Sequence, residues 1–356
     1  MNSPGISFPT DISSPTYFIA DIAANHDGSL ERARKLIALA AKSGASAAKF
    51  QNFKASSIVS KRGFIELGQK LSHQSKWEKD VFEVYKSAEV PLDWTDTLIN
   101  TCRDNGIDYF TTPYDLSYIE FFNNKMSYFK IGSGDITWKQ SLELIAKLNK
   151  PILLATGASE LWEVQRSVDL MLKNNLKIVL MQCNTNYTGS EDNFDYLNIS
   201  VISQYRKLYP NLLIGFSDHS IGHIPVLGAV ALGARIIEKH FTDDPRRSGP
   251  DHSFSLDPTQ WKEMVHSTRI LERCLGDGHK KVELNEIDAQ IVQRRALRYA
   301  KNLNAGDQVM LQDLIALRPC PLDGIDPFDI EDIVGKTLKF KVSEDQLVRK
   351  NDFELS

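Results

Sequence analysis

Short apolar runs recur along the chain, and each is followed by a stretch with helical periodicity. Eight such runs are mostly apolar on both alternating faces, as expected for parallel strands that are buried on both sides. They lie at residues 18–23, 46–51, 108–113, 128–133, 151–157, 176–183, 212–219 and 235–241. Between them, segments 29–44, 138–149 and 160–174 have the pattern of amphipathic helices. The pattern therefore predicts eight strand–helix units.

Eight units favour an α/β fold of the (β/α)8 TIM-barrel type over an open doubly wound sheet. A six-stranded sheet would leave two of the apolar runs unexplained. The stretch between the second and third strands, residues 52–107, is too long for a simple crossover. It predicts an additional helix or excursion near residues 76–90.

The pattern changes after a helix predicted at residues 257–276. A polar stretch follows, and then short β-like segments are separated by turn signals. We predict a barrel domain over residues 1–280, a linker over 281–293 and a small, mostly β domain over 294–356. Since so small a domain has little core of its own, we expect it to pack on the barrel or on a partner chain.

Charge and composition exclude several classes of function. The 356 residues include 42 Lys and Arg against 46 Asp and Glu, a formal charge of −4, which disfavours nucleic-acid binding. No apolar run approaches the ~20 residues of a membrane span, and residues 1–17 lack a signal-peptide pattern. The four cysteines form no C-x-x-C pair. We expect a cytoplasmic protein with reduced thiols that binds neither nucleic acid nor membrane.

Polar side chains recur at the carboxyl ends of the predicted strands, where barrel enzymes build their active sites. Lys49 and Lys130 lie inside otherwise apolar strands, where an unpaired ammonium group is costly. They predict a phosphate or carboxylate ligand, with Thr112 and Ser133 as additional donors. The alternative interpretation is a pair of lysines whose ammonium groups reach solvent at the barrel rim.

Two histidines end neighbouring strands of the predicted barrel. His219 follows the seventh strand and His240 ends the eighth, so the two imidazoles are predicted to hold one divalent metal. A pair of hydrogen-bonded rim histidines is the alternative. His26 and His252 lie in loops and are weaker candidates.

Acidic residues form the third class of candidates. Five of them are expected at the barrel mouth as a general base, as ligands of sugar hydroxyls or as ion-pair partners of Lys239 or Arg247. They are Asp21, Asp135, Asp218, Glu238 and Asp251. No nucleotide-binding glycine motif follows a strand. The residues alone predict a metal-assisted barrel enzyme that acts on a phosphorylated or carboxylated small molecule.

An ordered set of segments makes the chain resemble the sialic acid synthase (N-acetylneuraminate synthase) family from end to end. The segments are FIADIAANHDGSLERARKLI, AAKFQ, TTPYD, KIGSGDIT, LLATGAS, GFSDHSIGH, GARIIEKHFTDD and GPDHSFSLDP. A further segment, RRALRYAKNLNAGDQV followed by LRP, is similar to the start of the C-terminal antifreeze-like (SAF) domain of that family.

The resemblance implies a reaction. Phosphoenolpyruvate would condense with the open-chain aldehyde of an N-acylated amino sugar, and cleavage of its C–O bond would give phosphate and a nine-carbon 2-keto acid. N-acetylmannosamine is the default sugar; a 2,4-diacetamido-trideoxyhexose leading to legionaminic or pseudaminic acid is the alternative. A metal-dependent aldolase and a non-catalytic sugar-binding protein are more distant alternatives.

The resemblance also implies roles for individual residues. Lys49, Thr112, Lys130 and Ser133 match the positions that hold phosphoenolpyruvate. His219 and His240 match the metal ligands, usually of Mn²⁺ with Mg²⁺ and Co²⁺ as alternatives, and Ser217 lies beside the first. The sugar positions are matched by Asp21, Asp135, Tyr187 and Asp251, with Asn184 as a further substrate-binding candidate. Asp21, Lys49, Lys130 and Asp135 are the catalytic candidates. Arg318 matches an arginine that reaches the site of a partner subunit, so a domain-swapped homodimer is implied.

The chain departs from the family pattern at four places. Asp21, which faces the sugar, stands where the family has Glu, and Ala155 stands where many relatives have a serine that touches the phosphate. Strand six reads MQCNTNYTGS, which places Asn184 differently, and a longer turn follows Arg318. We therefore expect the phosphoenolpyruvate and metal sites to be retained and the sugar site to be altered.

Overall fold

The computed structural model describes residues 7–354, and the chain divides into two compact units, Met1–Gly276 and Asp277–Ser356. Part of the segment that lacks a signal-peptide pattern, residues 1–6, lies outside the described residues. Within the described part, no helix combines the length and the apolar character needed to cross a bilayer.

The first unit is a nearly closed barrel of eight parallel strands, which confirms the predicted TIM-barrel class. The strands are β1 (Tyr17–Asp21), β2 (Ala47–Asn52), β3 (Asp108–Pro113), β4 (Phe129–Ile131), β5 (Ile152–Ala155), β6 (Ile178–Cys183), β7 (Leu213–Asp218) and β8 (Ile236–His240). Their order is β3-β2-β1-β8-β7-β6-β5-β4. Strands β3 and β4 lie side by side, but the described residues give no hydrogen-bonded ladder between them.

Helices surround the strands. They are α1 (Leu30–Lys42), α2 (Ala55–Ile58), α3 (Lys61–Glu66), α4 (Val81–Ser87), α5 (Thr95–Asp104), α6 (Leu116–Asn123), α7 (Lys139–Lys147), α8 (Leu161–Leu172), α9 (Val201–Leu208), α10 (Ile224–Ala231) and α11 (Pro258–Leu275). The long connection between β2 and β3 holds α2 to α5, so it is richer in helix than the single additional helix that the sequence predicts.

Helix α1 shows why these segments are helical. The Ser29 hydroxyl accepts a hydrogen bond from the Arg32 backbone N–H at 3.3 Å and so caps the first turn. Leu36, Ile37 and other small or apolar residues are buried on one face against the barrel. Gly44, with φ of +92°, follows the last turn in a conformation that other residues rarely adopt.

Alternation along β7 and β8 separates two sets of polar side chains. Glu238 and His240 line the cavity at the barrel mouth, whereas Lys239 faces the opposite side. There its ammonium group donates to Asp218 Oδ2 at 2.7 Å, and both side chains are fully buried. Of the two roles expected for Asp218, the ion pair with Lys239 is therefore confirmed, whereas the position at the barrel mouth is wrong.

The second unit is built around a two-stranded antiparallel sheet. Its strands are β9 (Ala296–Tyr299) and β10 (Leu314–Leu317), and isolated bridges join Leu303 to Val342 and Leu338 to Phe353. Helix α12 (Ile287–Gln293) precedes the sheet. The segment predicted as a linker, 281–293, is thus partly helical, since Glu283 and Glu286 form a capping box ahead of α12.

Candidate active site

A cavity of about 620 Å³ lies at the carboxyl ends of the barrel strands. Most of the predicted site residues line it, although they come from distant parts of the chain. These are Asp21, Lys49, Lys130, Ser133, Asp135, Tyr187, Ser217, His219, His240 and Asp251. Candidates at or after the carboxyl ends of six of the eight strands therefore meet in one cavity, as expected for a barrel enzyme.

Three of the predicted site residues are not among those that line the cavity. Thr112 pairs in register with Gln51, a cavity residue, and its hydroxyl is buried without a hydrogen-bond partner among the described residues. The Asn184 side-chain amide donates to the Tyr196 carbonyl at 3.0 Å instead of lining the cavity. Arg318 belongs to the second unit, where it directly follows β10 and is exposed.

Four charged side chains form a buried cluster at the base of the cavity. Lys49 Nζ donates to Asp21 Oδ2 at 2.6 Å, and Lys130 Nζ donates to Glu238 Oε1 at 3.0 Å. Lys49 Nζ also lies 4.0 Å from Glu238 Oε1, and all four side chains are at most 4 % exposed. The two ammonium groups are thus balanced by two carboxylates, where the sequence alone predicts a ligand anion as the partner.

The electrostatics favour the charged forms of Glu238 and Lys49, whereas burial raises the pKa of Asp21. Burial opposes the ionised form of Glu238, but the charges of Lys130 and Lys49 outweigh it and lower the pKa of that carboxyl to about 2. Burial also opposes the charge of Lys49, and the carboxylates of Asp21 and Glu238 reverse this and raise its pKa. Since each ammonium has three N–H groups, both lysines retain donors for a ligand anion.

Two further polar atoms near the cluster are buried without a partner among the described residues. They are Glu238 Oε2 and His240 Nδ1. A buried polar atom without a hydrogen bond costs about 1–3 kcal/mol, so such atoms mark places where a ligand or ion would complete the contacts.

The two histidines are neutral and close together. Burial lowers the pKa of His219 and of His240 to about 3, and their ring centroids lie 5.3 Å apart. His219 Nδ1 lies 2.9 Å from the Asn184 carbonyl oxygen. Because a carbonyl oxygen only accepts, Nδ1 carries the proton and Nε2 keeps its lone pair.

This donor set fits a divalent metal with open coordination positions. Two unprotonated imidazoles on adjacent strands supply two nitrogens, and one of them is held in its tautomer by a backbone carbonyl. No group of three or more His, Cys, Asp and Glu side chains that could hold a metal exists among residues 7–354. Water or substrate would therefore have to fill the remaining positions. His26 and His252 make structural hydrogen bonds instead, to the Gly28 N–H and to Asp27.

Two carboxyl groups stand apart from the lysine cluster. Burial raises the pKa of Asp135 and of Asp251 to about 6. Asp251 Oδ2 accepts a hydrogen bond from the Ala24 backbone N–H at 3.0 Å, which fixes its direction. Both groups titrate near neutral pH, which suits a contact with sugar hydroxyls or with a proton in transfer.

Ser133 and the turn after β5 shape another part of the wall. The Ser133 hydroxyl accepts from the Gly157 N–H at 2.9 Å and also contacts the Cys183 thiol, so both neighbours fix it at the cavity wall. A Cβ on Gly157 would lie 2.5 Å from Thr185 Cγ2 and 2.9 Å from Ser133 Oγ, so only glycine fits here. Ala155 lines the cavity without a hydroxyl group.

Sequence reasoning missed an aromatic wall on the cavity. It consists of Phe53, His73, Trp77 and Tyr85 from the β2–β3 connection and Tyr114 after β3. A Cβ on Gly132 would lie 2.8 Å from Tyr114 Oη, so the glycine makes room for this ring. The length of the connection, with its aromatic residues at positions 77, 82 and 85, was the available signal.

Residues 36–280 match the model of the NeuB family, and residues 294–354 match that of the SAF domain. The chain is 34% identical over 342 residues to an N,N'-diacetyllegionaminic acid synthase of Campylobacter jejuni, covering 94% of this chain and 99% of the relative. A pseudaminic acid synthase of the same species is 32% identical, covering 98% of this chain and 99% of the relative. The crystal structure of an N-acetylneuraminic acid synthetase from Leptospira borgpetersenii has a TM-score of 0.68 and 28% identity, covering 78% of this chain and 90% of that one. The chain belongs to the NeuB family.

Proposed function

We propose that this protein condenses phosphoenolpyruvate with the open-chain aldehyde of an N-acylated amino sugar. Carbon 3 of phosphoenolpyruvate bonds to the aldehyde carbon, water adds at carbon 2, and the C–O bond to the phosphate breaks. The products are inorganic phosphate and a nine-carbon 2-keto acid. The observation that carries the proposal is one cavity that holds both a buried lysine pair and a pair of neutral histidines.

The lysine side of the cavity suits a small, highly charged anion. Lys49 and Lys130 have N–H groups beyond those that their carboxylate partners use, and the Ser133 hydroxyl lies in the same cavity wall. Thr112, whose hydroxyl has no hydrogen-bond partner among the described residues, lies on the same face of the barrel sheet as its register neighbour Gln51. These four residues would bind the phosphate and carboxylate of phosphoenolpyruvate with charge-assisted hydrogen bonds.

His219 and His240 would hold the divalent metal, with Mn²⁺ as the first choice and Mg²⁺ or Co²⁺ as alternatives. When bound, such an ion acts as a Lewis acid on a carbonyl oxygen and as a template for the reactants. Ser217 donates to Glu238 Oε1 at 3.1 Å, and so helps to hold the carboxylate that Lys130 needs as its partner.

The remaining wall would bind the sugar. Asp21, Asp135 and Asp251 supply carboxylates, and Tyr187 packs against His219 with ring centroids 4.2 Å apart and ring planes tilted by 57°. N-acetylmannosamine is the default substrate. The relatives named for legionaminic and pseudaminic acid favour a 2,4-diacetamido-trideoxyhexose as the second candidate.

The proposal is tested with purified protein loaded with Mn²⁺ and supplied with phosphoenolpyruvate. N-acetylmannosamine, its 6-phosphate and a set of 2,4-diacetamido-trideoxyhexoses are added one at a time, and inorganic phosphate and the 2-keto acid are measured together. Equal amounts of both products with one sugar support the synthase and identify its substrate. Absence of phosphate with every sugar contradicts it, and cleavage of a 2-keto acid without phosphate would indicate an aldolase. Sugar binding without turnover would indicate a non-catalytic protein.

Arg318 leads to a prediction about the oligomer. We propose that it reaches the sugar site of a partner subunit in a domain-swapped homodimer. Arg318→Ala is then expected to raise KM for the sugar about tenfold or more, because the variant loses one charged hydrogen bond to the sugar. KM for phosphoenolpyruvate should stay unchanged. Steady-state kinetics with each substrate varied in turn provide the measurement.

A mixing experiment tests the swapped arrangement directly. Arg318→Ala and Lys130→Met chains are unfolded, mixed and refolded together. In a swapped dimer, the barrel with intact Lys130 receives Arg318 from the other chain, and turnover returns. Activity no higher than that of the separately refolded variants would contradict the swap.

Asp135 gives a prediction about pH. Its folded-state pKa of about 6 lies above the ordinary value of 3.8, so the carboxylate is present above pH 6 and is lost as the pH falls through 6. If the ionised form binds the sugar, KM for the sugar rises as the pH is lowered from 7 to 5. Asp135→Asn is expected to have a higher KM that depends less on pH. An unchanged pH profile in this variant would assign the titration to another group.

A further inference from the structure

Asp27 contacts two arginine side chains and the buried His252 ring just outside the cavity. It follows the short 3-10 helix Ala23–His26 in a left-handed conformation, with φ of +50°. Its carboxylate accepts from Arg247 at 2.7 and 3.1 Å, lies 2.9 Å from His252 Nε2, and lies 3.0 Å from Arg32 Nε. The residue is not part of the cavity lining.

Two of these partners belong to one loop. Arg247 and His252 lie between β8 and α11, on either side of Asp251. Asp243, earlier in the same loop, forms two hydrogen bonds with Arg32, from Nη1 at 3.0 Å and from Nη2 at 2.5 Å. The turn after β1 and Arg32 in the first turn of α1 therefore hold the β8–α11 loop through two ion pairs and the hydrogen bond to His252.

The same turn contacts Asp251 and the chain beyond it. The Ala24 N–H donates to Asp251 Oδ2 at 3.0 Å. The Asn25 amide donates to the Phe241 carbonyl and to the Ser255 hydroxyl, each at 2.9 Å. The chain before Asp251, at Phe241, and the chain after it, at Ser255, are thus both hydrogen-bonded to the turn after β1.

These contacts differ from ordinary surface ion pairs. Burial lowers the pKa of His252, so its ring binds Asp27 as a neutral hydrogen-bond partner. Arg32 is 12 % and Asp27 25 % exposed, so the charges of this ion pair are only partly screened by water. His252 Nδ1 is engaged by the Thr242 hydroxyl at 2.7 Å, which fixes the ring. A Cβ on Gly249 would lie 2.6 Å from the same ring, so the loop is packed tightly around it.

We propose that Asp27 is a positioning residue that holds the β8–α11 loop so that the Asp251 carboxylate faces the sugar end of the cavity. The role in sugar binding rests on the function proposed above, whereas the fixing of the loop does not. Asp27 acts through Asp251 and does not itself touch the substrate.

Asp27→Asn is the suitable variant. Asn tolerates the left-handed backbone and keeps the shape of the side chain, so the change removes the charge without straining the turn. Asp244→Asn is the matched control, because Asp244 lies in the same loop and forms an exposed ion pair with Arg246 that should contribute little.

The first measurement is hydrogen–deuterium exchange of the full-length protein by mass spectrometry. Asp27→Asn is expected to speed exchange in peptides that cover residues 241–257, while Asp244→Asn leaves them as in the wild type. Thermal unfolding of both variants serves to show that the fold is intact. Unchanged exchange in the Asp27 variant would overturn the positioning role.

The second measurement is kinetic. Asp27→Asn is expected to raise KM for the sugar about tenfold, with KM for phosphoenolpyruvate within twofold of the wild type, since weakening the contacts of one carboxylate changes binding by about that factor. An equal loss for both substrates would indicate a general structural role and contradict the proposal. If the wild type itself turns over no sugar, the proposed function has failed, and the exchange result alone decides whether Asp27 fixes the loop.

Discussion

Replacing Lys130 with methionine is expected to lower kcat/KM for phosphoenolpyruvate about 10²–10³-fold, the usual effect of removing one preorganised electrostatic contact. The side chain is 4 % exposed and its ammonium lies 3.0 Å from Glu238. No solvent can replace the lost charge at such a site. Steady-state kinetics at saturating sugar provide the measurement, and a variant that binds phosphoenolpyruvate as the wild type does would contradict the proposed anion site.

The same substitution also tests the buried cluster. Without Lys130, the Glu238 carboxylate loses a partner while remaining buried, and breaking such a pair costs about 3–5 kcal/mol of unfolding free energy. The double variant Lys130→Met with Glu238→Gln removes the unpaired charge. We expect it to recover most of the stability in denaturant unfolding and none of the activity. Recovery of both would show that Lys130 acts only through the fold.

His240→Ala is expected to reduce Mn²⁺-dependent turnover about a thousandfold, because a Lewis acid contributes several kcal/mol and each 1.36 kcal/mol is a factor of ten in rate. A second readout is independent of activity. Binding of Mn²⁺ measured by electron paramagnetic resonance should weaken strongly in the variant. The fold should survive, since the ring lies at the cavity wall and not among the apolar residues of the core.

His266→Ala is the control for this substitution, because His266 is exposed on α11 and lies outside the cavity. It should retain both metal binding and turnover. Wild-type affinity for Mn²⁺ in His240→Ala would refute the assignment of this residue as a ligand.

Much of the barrel was predictable because strands buried on both faces leave continuous apolar runs. The run at residues 108–113 coincides with β3, and the others differ from the structure by a few residues at the ends. Lys49, Lys130, His219 and His240 could be selected because a polar residue inside or at the end of such a run is conspicuous. Their convergence follows from the barrel geometry alone.

The rest depended on three-dimensional contacts that no local pattern encodes. For Asp218 the sequence leaves open a role at the barrel mouth and an ion pair with Lys239, and only the alternation of side chains, which sends both residues to the other face, decides for the pair. The pairing of Lys49 with Asp21 depends on the register of β1 against β2, in which the two residues are direct neighbours. Tyr85 and Trp77 lie in the β2–β3 connection, and no periodicity in the sequence predicts the course of that connection relative to the barrel.

The incomplete closure of the barrel has a consequence for the anion site. Thr112 lies on β3 and Lys130 on β4, the two strands that no backbone ladder joins among the described residues. The separation of these two proposed anion ligands is therefore not fixed by a main-chain ladder, whereas every other neighbouring pair of barrel strands is joined by main-chain hydrogen bonds. A phosphate bound by both Thr112 and Lys130 would link β3 to β4, which no backbone ladder joins among the described residues. Ligand-dependent protection of β3 and β4 against hydrogen exchange would report the connection.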